Sequence, residues 1–136
     1  MINSERIFMF KGISTNLMVR SVEDSLNFYQ NILGFKAVAT APGESGLIFA
    51  ILEKDGQDLM IQEKESLASE YPILKADLIK PSIALYIIVD NFEELCQDLK
   101  SKIEILADIH ITPYGAEEFA VADPDGYVLT FAKAQN

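Results

Sequence analysis

The 136-residue chain holds one cysteine, one histidine and no tryptophan. Cys96 alone cannot close an internal disulfide, and with no histidine near it in sequence it reads as a small buried hydrophobe, not a catalytic thiol. His110 alone cannot build a zinc cluster. There is no Ser-His-Asp spacing, no Cys-His pair and no Gly-rich phosphate loop. Positive charge is scarce: 11 Lys and Arg stand against 21 Asp and Glu, a net charge of -10 and a pI near 4.4. Such a surface repels phosphate backbones, which excludes nucleic acid, and no basic cluster exists to hold an anionic membrane. No stretch approaches the ~20 apolar residues of a membrane span. Met1 to Gly12 include Glu5 and Arg6 and lack a signal-peptide layout. A cytoplasmic location is expected.

What is present is a repeat. Lys54-Asp55-Gly56-Gln57-Asp58-Leu59-Met60-Ile61-Gln62 returns as Pro124-Asp125-Gly126-Tyr127-Val128-Leu129-Thr130-Phe131-Ala132, 70 residues later. Each copy follows a Phe-Ala pair at the same distance, Phe49-Ala50 and Phe119-Ala120. Asp-Gly between apolar segments signals a tight hairpin, since Gly supplies positive φ and Asp tolerates it. Two similar hairpins in register are therefore expected. At the same offset Ile13 falls on Ile83, Val19 on Val89, Glu23 on Glu93 and Ala37 on Ala107.

Residues 13–20 and 83–90 read as strands, the second rich in β-branched and aromatic side chains. A helix follows each, with Ser21 and Asn91 as N-caps and acids behind them in the first turn. Val22, Leu26, Tyr29 and Leu33 define one apolar helix face, and Phe92, Cys96, Leu99 and Ile103 repeat its spacing. Gly34 suits the end of the first helix. Second strands are expected at 35–39 and 104–107, loops at 42–46 and 112–115, third strands at 47–52 and 118–122, and fourth strands at 58–62 and 128–132. Each copy is thus β-α-β-β-β. The copies span 13–63 and 83–133 of a single domain covering 1–136. Residues 64–82 join them as a surface linker with a short helix, interrupted by Pro72 and closed by Pro81.

Two β-α-β-β-β units in tandem resemble the vicinal oxygen chelate superfamily, the glyoxalase, bleomycin-resistance and extradiol-dioxygenase group. The most specific pieces are Val-Arg-Ser-Val-Glu-Asp-Ser-Leu-Asn-Phe-Tyr-Gln-Asn-Ile-Leu-Gly-Phe (19–35) and Asp-Pro-Asp-Gly-Tyr-Val-Leu-Thr-Phe (123–131). The resemblance implies an α+β fold whose two βαβββ modules form a curved mixed sheet around a cleft, with the helices outside. It implies a homodimer, some relatives exchanging modules between chains. Enzymes of this superfamily hold a divalent metal on the cleft floor through His, Glu or Gln on the first and fourth strand of each module. Those slots fall here on Ser14, Met60, Ala84 and Thr130, pairs that keep the offset of 70. A hydroxyl, a thioether and a methyl cannot replace carboxylates or imidazoles around a hard cation. No metal, no cofactor and no catalytic residue is therefore assigned.

Side chains alternate along a strand, so residues sharing parity with the slots should face the cleft. These are Ser14, Asn16, Met18, Asp58, Met60 and Gln62 in the first unit, and Ala84, Tyr86, Ile88, Val128, Thr130 and Ala132 in the second. Asn16, Met18, Met60, Gln62, Tyr86, Ile88 and Thr130 form the candidate ligand-binding set. His110 joins it if it lines the cleft mouth; otherwise it is a surface or loop histidine. Glu118 could serve as a cleft base, although paired acids such as Glu117-Glu118 are most simply solvated. The lining is mostly apolar, with Met for adaptability and Tyr86 for stacking, and it suits a neutral or mostly apolar small molecule; Met18, Met60, Tyr86 and Ile88 could equally fill the cleft as core. Two functions follow. One is a metal-free protein that sequesters a mostly apolar or aromatic small molecule, as in the bleomycin-resistance branch. The other is a lyase, isomerase or dioxygenase of the same superfamily using a divalent metal with non-standard ligands.

Overall fold

A computed structural model describes residues 7–135. The first unit runs β1 (Asn16–Val19), α1 (Val22–Leu26), a π-helical turn (Asn27–Ile32), β2 (Lys36–Gly43), β3 (Gly46–Lys54) and β4 (Gln57–Glu63). The joining segment carries α2 (Lys64–Glu70) and a 3-10 turn (Pro72–Leu74). The second unit runs β5 (Ala84–Val89), α3 (Phe92–Lys100), β6 (Ala107–Ile111), β7 (Glu117–Ala122) and β8 (Val128–Lys133). The strands form two four-stranded mixed sheets, ordered β1-β4-β3-β2 and β5-β8-β7-β6. In each, the first strand runs parallel to the fourth and the other neighbours are antiparallel. The β-α-β-β-β plan and the α+β class read from the sequence are present.

The helices cover one face of each sheet. Leu17, Val19, Ala50, Leu52, Leu59 and Ile61 in the first sheet, and Phe119, Val121, Leu129 and Phe131 in the second, are buried with Val22, Tyr29, Phe92, Cys96 and Leu99. The helix faces expected from the sequence thus pack into the core, and Cys96 lies among them with its thiol pKa pushed up by burial. Ser21 caps α1 by accepting from the Asp24 amide at 3.1 Å. Past Leu26 the helix widens into its π turn, and both Phe28 and Tyr29 turn inward, their rings edge to face at 5.1 Å. Asn91 occupies the corresponding cap position but makes no side-chain bond there, because its backbone is left-handed at φ 47. It shapes the strand-to-helix corner and caps nothing.

Other boundaries differ from expectation. β1 begins at Asn16, so Ser14 lies just before it. β2 continues through Pro42 to Gly43, where Gly43 opposite Gly46 closes a turn over Glu44 and Ser45. The expected loop shrinks to two residues. β6 lies at 107–111, not 104–107. Ile103 and Ile105 pack against the core, and the strand starts only once they have been buried. His110 consequently sits within a strand.

The two hairpins are not in register. In the first unit Lys54 pairs with Gln57, leaving Asp55-Gly56 as a two-residue turn with both φ values positive, 50 and 78, the geometry whose twist suits a hairpin. In the second unit Ala122 pairs with Val128, leaving a five-residue loop from Asp123 to Tyr127. Asp123 Oδ1 accepts from the amides of Asp125 and Tyr127, both at 2.9 Å, and folds that loop around its own carboxylate. The β3–β4 and β7–β8 ladders therefore differ by one residue. Phe49 faces Gln62, whereas Phe119 faces Phe131 in the core and stacks on it at 5.1 Å. The parallel ladders keep the offset: Asn16 pairs with Met60, and Tyr86 with Thr130.

The loop from Asp123 to Tyr127 also joins the units. The Tyr29 hydroxyl donates to Asp123 Oδ2 at 2.7 Å, the Tyr127 hydroxyl donates to the Met18 carbonyl at 2.8 Å, and Arg20 Nε pairs with Asp125 at 2.9 Å. Burial raises the pKa of Asp123, and burial beside Asp123 raises that of Tyr29.

Candidate ligand-binding site

With Leu17, Val19, Leu59 and Ile61 in the core, the other parity of β1 and β4 looks away from the helices. Asn16, Met18, Met60 and Gln62 are cross-strand neighbours there, and Asn16 Nδ2 donates to Gln62 Oε1 at 2.9 Å. Gln62 is buried, its amide donating to Ser66 Oγ and Glu70 Oε1 of α2, each at 3.0 Å. Asn16 Oδ1 is buried without a hydrogen-bond partner. Phe49 and Ile51 of β3 share this face through their pairing with Gln62 and Met60. Because α2 and the joining segment fold back beside β1, they leave an open cavity of about 680 Å³. Asn16 and Met18 line one wall, Leu74, Leu78 and Ile83 another, and Tyr127 a third. Nothing in the sequence marks the joining segment as a wall; only its apolar residues Leu74, Leu78 and Ile79 hint at a packed role.

On the second sheet the same parity carries Ala84, Tyr86 and Ile88 beside Val128, Thr130 and Ala132. This face lies open: Tyr86 is 52% and Ile88 68% exposed. The one-residue slip of the β7–β8 ladder turns Glu118 onto it, opposite Ala132, and the β6–β7 pairing sets His110 opposite Glu118. Glu118 is buried, and its Oε2 accepts from the hydroxyls of both Tyr86 and Tyr114 at 2.7 Å. These two donors, with a smaller contribution from the charge of His110, hold the Glu118 carboxyl below its usual range. The Tyr86 phenol, donating to that carboxylate, is pushed up to about 12. His110 Nδ1 contacts the Asp108 carbonyl at 2.8 Å. Tyr114 was not singled out from the sequence, and Glu118 was placed there as a possible cleft base but more simply as a solvated acid, because the offset of 70 aligns it with Ile48, one position from its true counterpart Phe49.

The eight candidate residues thus fall on two faces. Asn16, Met18, Met60 and Gln62 are brought together on the first sheet. Tyr86, Ile88, Thr130 and His110 lie on the second. No strand pairing joins the two sets among the described residues.

Two mixed sheets of β-α-β-β-β units, each with helices on one side and a second face free of them, define a paired-module α+β fold. The chain belongs to the glyoxalase/bleomycin resistance protein/dioxygenase superfamily, whose family model matches residues 13–131. No curated protein sequence matches it. Among solved structures it is similar to a protein of unknown function from Agrobacterium tumefaciens str. C58, at 21% identity and a TM-score of 0.75, over 95% of this chain and 98% of that one. It is similar to lactoylglutathione lyase from Agrobacterium tumefaciens at 17% identity and a TM-score of 0.72, covering 91% and 94%. TioX from Micromonospora sp. ML1 matches at 13% identity and a TM-score of 0.70, covering 93% and 100%. At these identities the likeness is one of fold.

The residues that the resemblance sets at the superfamily's metal positions are a poor fit for a divalent ion. The Ser14 hydroxyl is spent on Asp58 Oδ1 at 2.6 Å. Met60 offers a thioether, Ala84 no donor and Thr130 a neutral hydroxyl, a set too weak for a hard cation. No group of three or more His, Cys, Asp or Glu side chains suited to a metal occurs among the described residues.

Proposed function

We propose that this chain is a metal-free small-molecule-binding protein of the glyoxalase/bleomycin-resistance type, sequestering a mostly apolar or aromatic ligand on its sheet faces. The observation that carries this reading is the set at the four expected metal positions, Ser14, Met60, Ala84 and Thr130, in a fold whose strands and parallel pairings are otherwise complete. The cavity beside Asn16 and Met18 supports it, since about 680 Å³ lies within the roughly 300–1,000 Å³ of small-molecule sites. Met18 and Met60 adapt to varied shapes. The two units and the segment 64–82 between them act as one domain.

The functional form is a homodimer in the cytoplasm. Ile7, Phe8, Met9, Phe10 and Ile13 are each 73–84% exposed. A contiguous apolar arm of this kind is costly in water. Its two phenylalanines, at roughly 150–250 Å² each, supply about half of the ~800 Å² per partner of a standard interface, and a second copy covers it. Among the described residues no helix is long and apolar enough to cross a membrane.

Elemental analysis of protein dialysed against excess Zn²⁺, Ni²⁺ or Mn²⁺ and then against buffer tests the metal-free reading. The expected result is no retained ion. A stoichiometric ion would favour instead a lyase, isomerase or dioxygenase with non-standard ligands. A thermal-shift screen of aromatic compounds tests binding, because a ligand at 100 times its Kd adds about 2.7 kcal/mol of stability.

A further inference from the structure

Glu118 is 6% exposed, yet it belongs to the open face of the second sheet. The rings that cover it are well exposed, Tyr86 at 52% and Tyr114 at 72%, and both hydroxyls point back to the same carboxylate oxygen, Oε2. The other oxygen, Oε1, takes no hydrogen bond among the described residues. No lysine or arginine there pairs with Glu118: Lys133, the nearest along the ladder, is paired with Glu93 at 2.8 Å and approaches Glu117, on the opposite parity. The arrangement is a mostly covered carboxylate with spare acceptor capacity, held by the hydroxyls of two exposed tyrosine rings. Ile88, beyond Ala132 on the same row, adds an exposed aliphatic platform.

Each part selects the same chemistry. Both phenols spend their protons on Glu118, so they are poor donors to an incoming anion, and the carboxylate repels one. Aromatic faces are negative and attract an ammonium group within about 6 Å of the ring centre. An ionised carboxylate gives an N–H donor a charge-assisted hydrogen bond. One carboxylate and two neutral phenols are too few hard donors for a divalent metal. We infer that Glu118, Tyr86 and Tyr114 form the recognition point for the ammonium head of an amine whose apolar or aromatic body lies on the second sheet. This rests on the small-molecule reading above and deepens it, naming amines as the ligand class.

The test compares 2-naphthylmethylamine with its neutral counterpart 2-naphthylmethanol by calorimetric titration of the full chain in EDTA. The amine should bind at least about tenfold more tightly, the ordinary size of a hydrogen bond to a charged group. Glu118→Gln should erase that preference while alcohol binding persists. Should Glu118→Gln fail to fold, the paired substitution Tyr86→Leu with Tyr114→Leu, at exposed positions, decides: loss of the preference supports the inference and its survival overturns it. Equal binding of amine and alcohol to the native chain overturns the inference and leaves the small-molecule reading intact. Binding of neither probe overturns both.

Discussion

The Tyr29 hydroxyl donates to Asp123 Oδ2 at 2.7 Å, joining residues 94 positions apart. Tyr29 belongs to the helix of the first unit and Asp123 to the loop before the last strand of the second. They come from the two stretches that most resemble the superfamily, so those stretches meet in space. What holds them is local chemistry: the π turn rotates Tyr29 inward beside Phe28, while the backbone amides of Asp125 and Tyr127 fix the Asp123 carboxylate.

Tyr29→Phe should therefore destabilise the protein by about 1–3 kcal/mol, the usual cost of leaving a buried acceptor unpaired. Asp123→Ala should cost more, since the loop amides also lose their acceptor. In denaturant unfolding the double variant should fall short of the sum of the single effects, by an amount in the 0.5–3 kcal/mol range of contacting pairs. Additive effects would mean the two residues do not act together.

Glu118 gives a pH dependence with a definite sign. Its carboxyl is held low by the hydroxyls of Tyr114 and Tyr86 and by the charge of His110, the titratable groups that face it. A depressed folded pKa contributes stability above the unfolded value of about 4.3 and loses it as pH falls through the folded value. Carboxyl NMR should find Glu118 titrating below about 4.3 in the native chain and at higher pH in Tyr86→Phe with Tyr114→Phe. An unchanged midpoint would refute the assigned cause.

Tyr86 reports on the same contact from the other side. Ultraviolet titration should show a phenol ionising at about 12, absent in Tyr86→Phe. Glu118→Gln should bring it back toward the ordinary value near 10. A Tyr86 midpoint that ignores Glu118→Gln would show that the hydrogen bond does not set it.

The apolar arm makes a prediction about assembly. Phe8→Asp with Phe10→Asp should shift sedimentation from dimer to monomer without loss of fold, since both side chains are exposed in the single chain. A dimer that survives both changes would place the interface elsewhere.

The fold was legible because helix faces and strand alternation are local patterns, and both units carry them. The parallel ladders were legible too, since Asn16–Met60 and Tyr86–Thr130 keep the spacing of the repeat. The antiparallel hairpins were not. Asp-Gly occurs in both, but register depends on how many residues the ladder leaves unpaired, two in one hairpin and five in the other. Asp123, by binding two amides of its own loop, decides that number in the second unit. A single slipped residue reverses every face, so Phe119 entered the core, Phe49 left it, and Glu118, more simply read as a solvated acid, came to the open face under two tyrosines. His110, expected in a loop or at the cleft mouth, became the strand neighbour of Glu118. Its place follows from a bulge between Ala107 and His110 that no periodicity announces.

Binding of a small molecule on the sheet faces without a metal can be watched residue by residue. The most direct measurement is methyl NMR of the EDTA-treated chain during titration with 2-naphthylmethanol. Saturable shifts are expected at Met18, Met60 or Ile88, unchanged by added Zn²⁺ or Ni²⁺. Shifts that fail to saturate, or that arise only once metal is added, would contradict it.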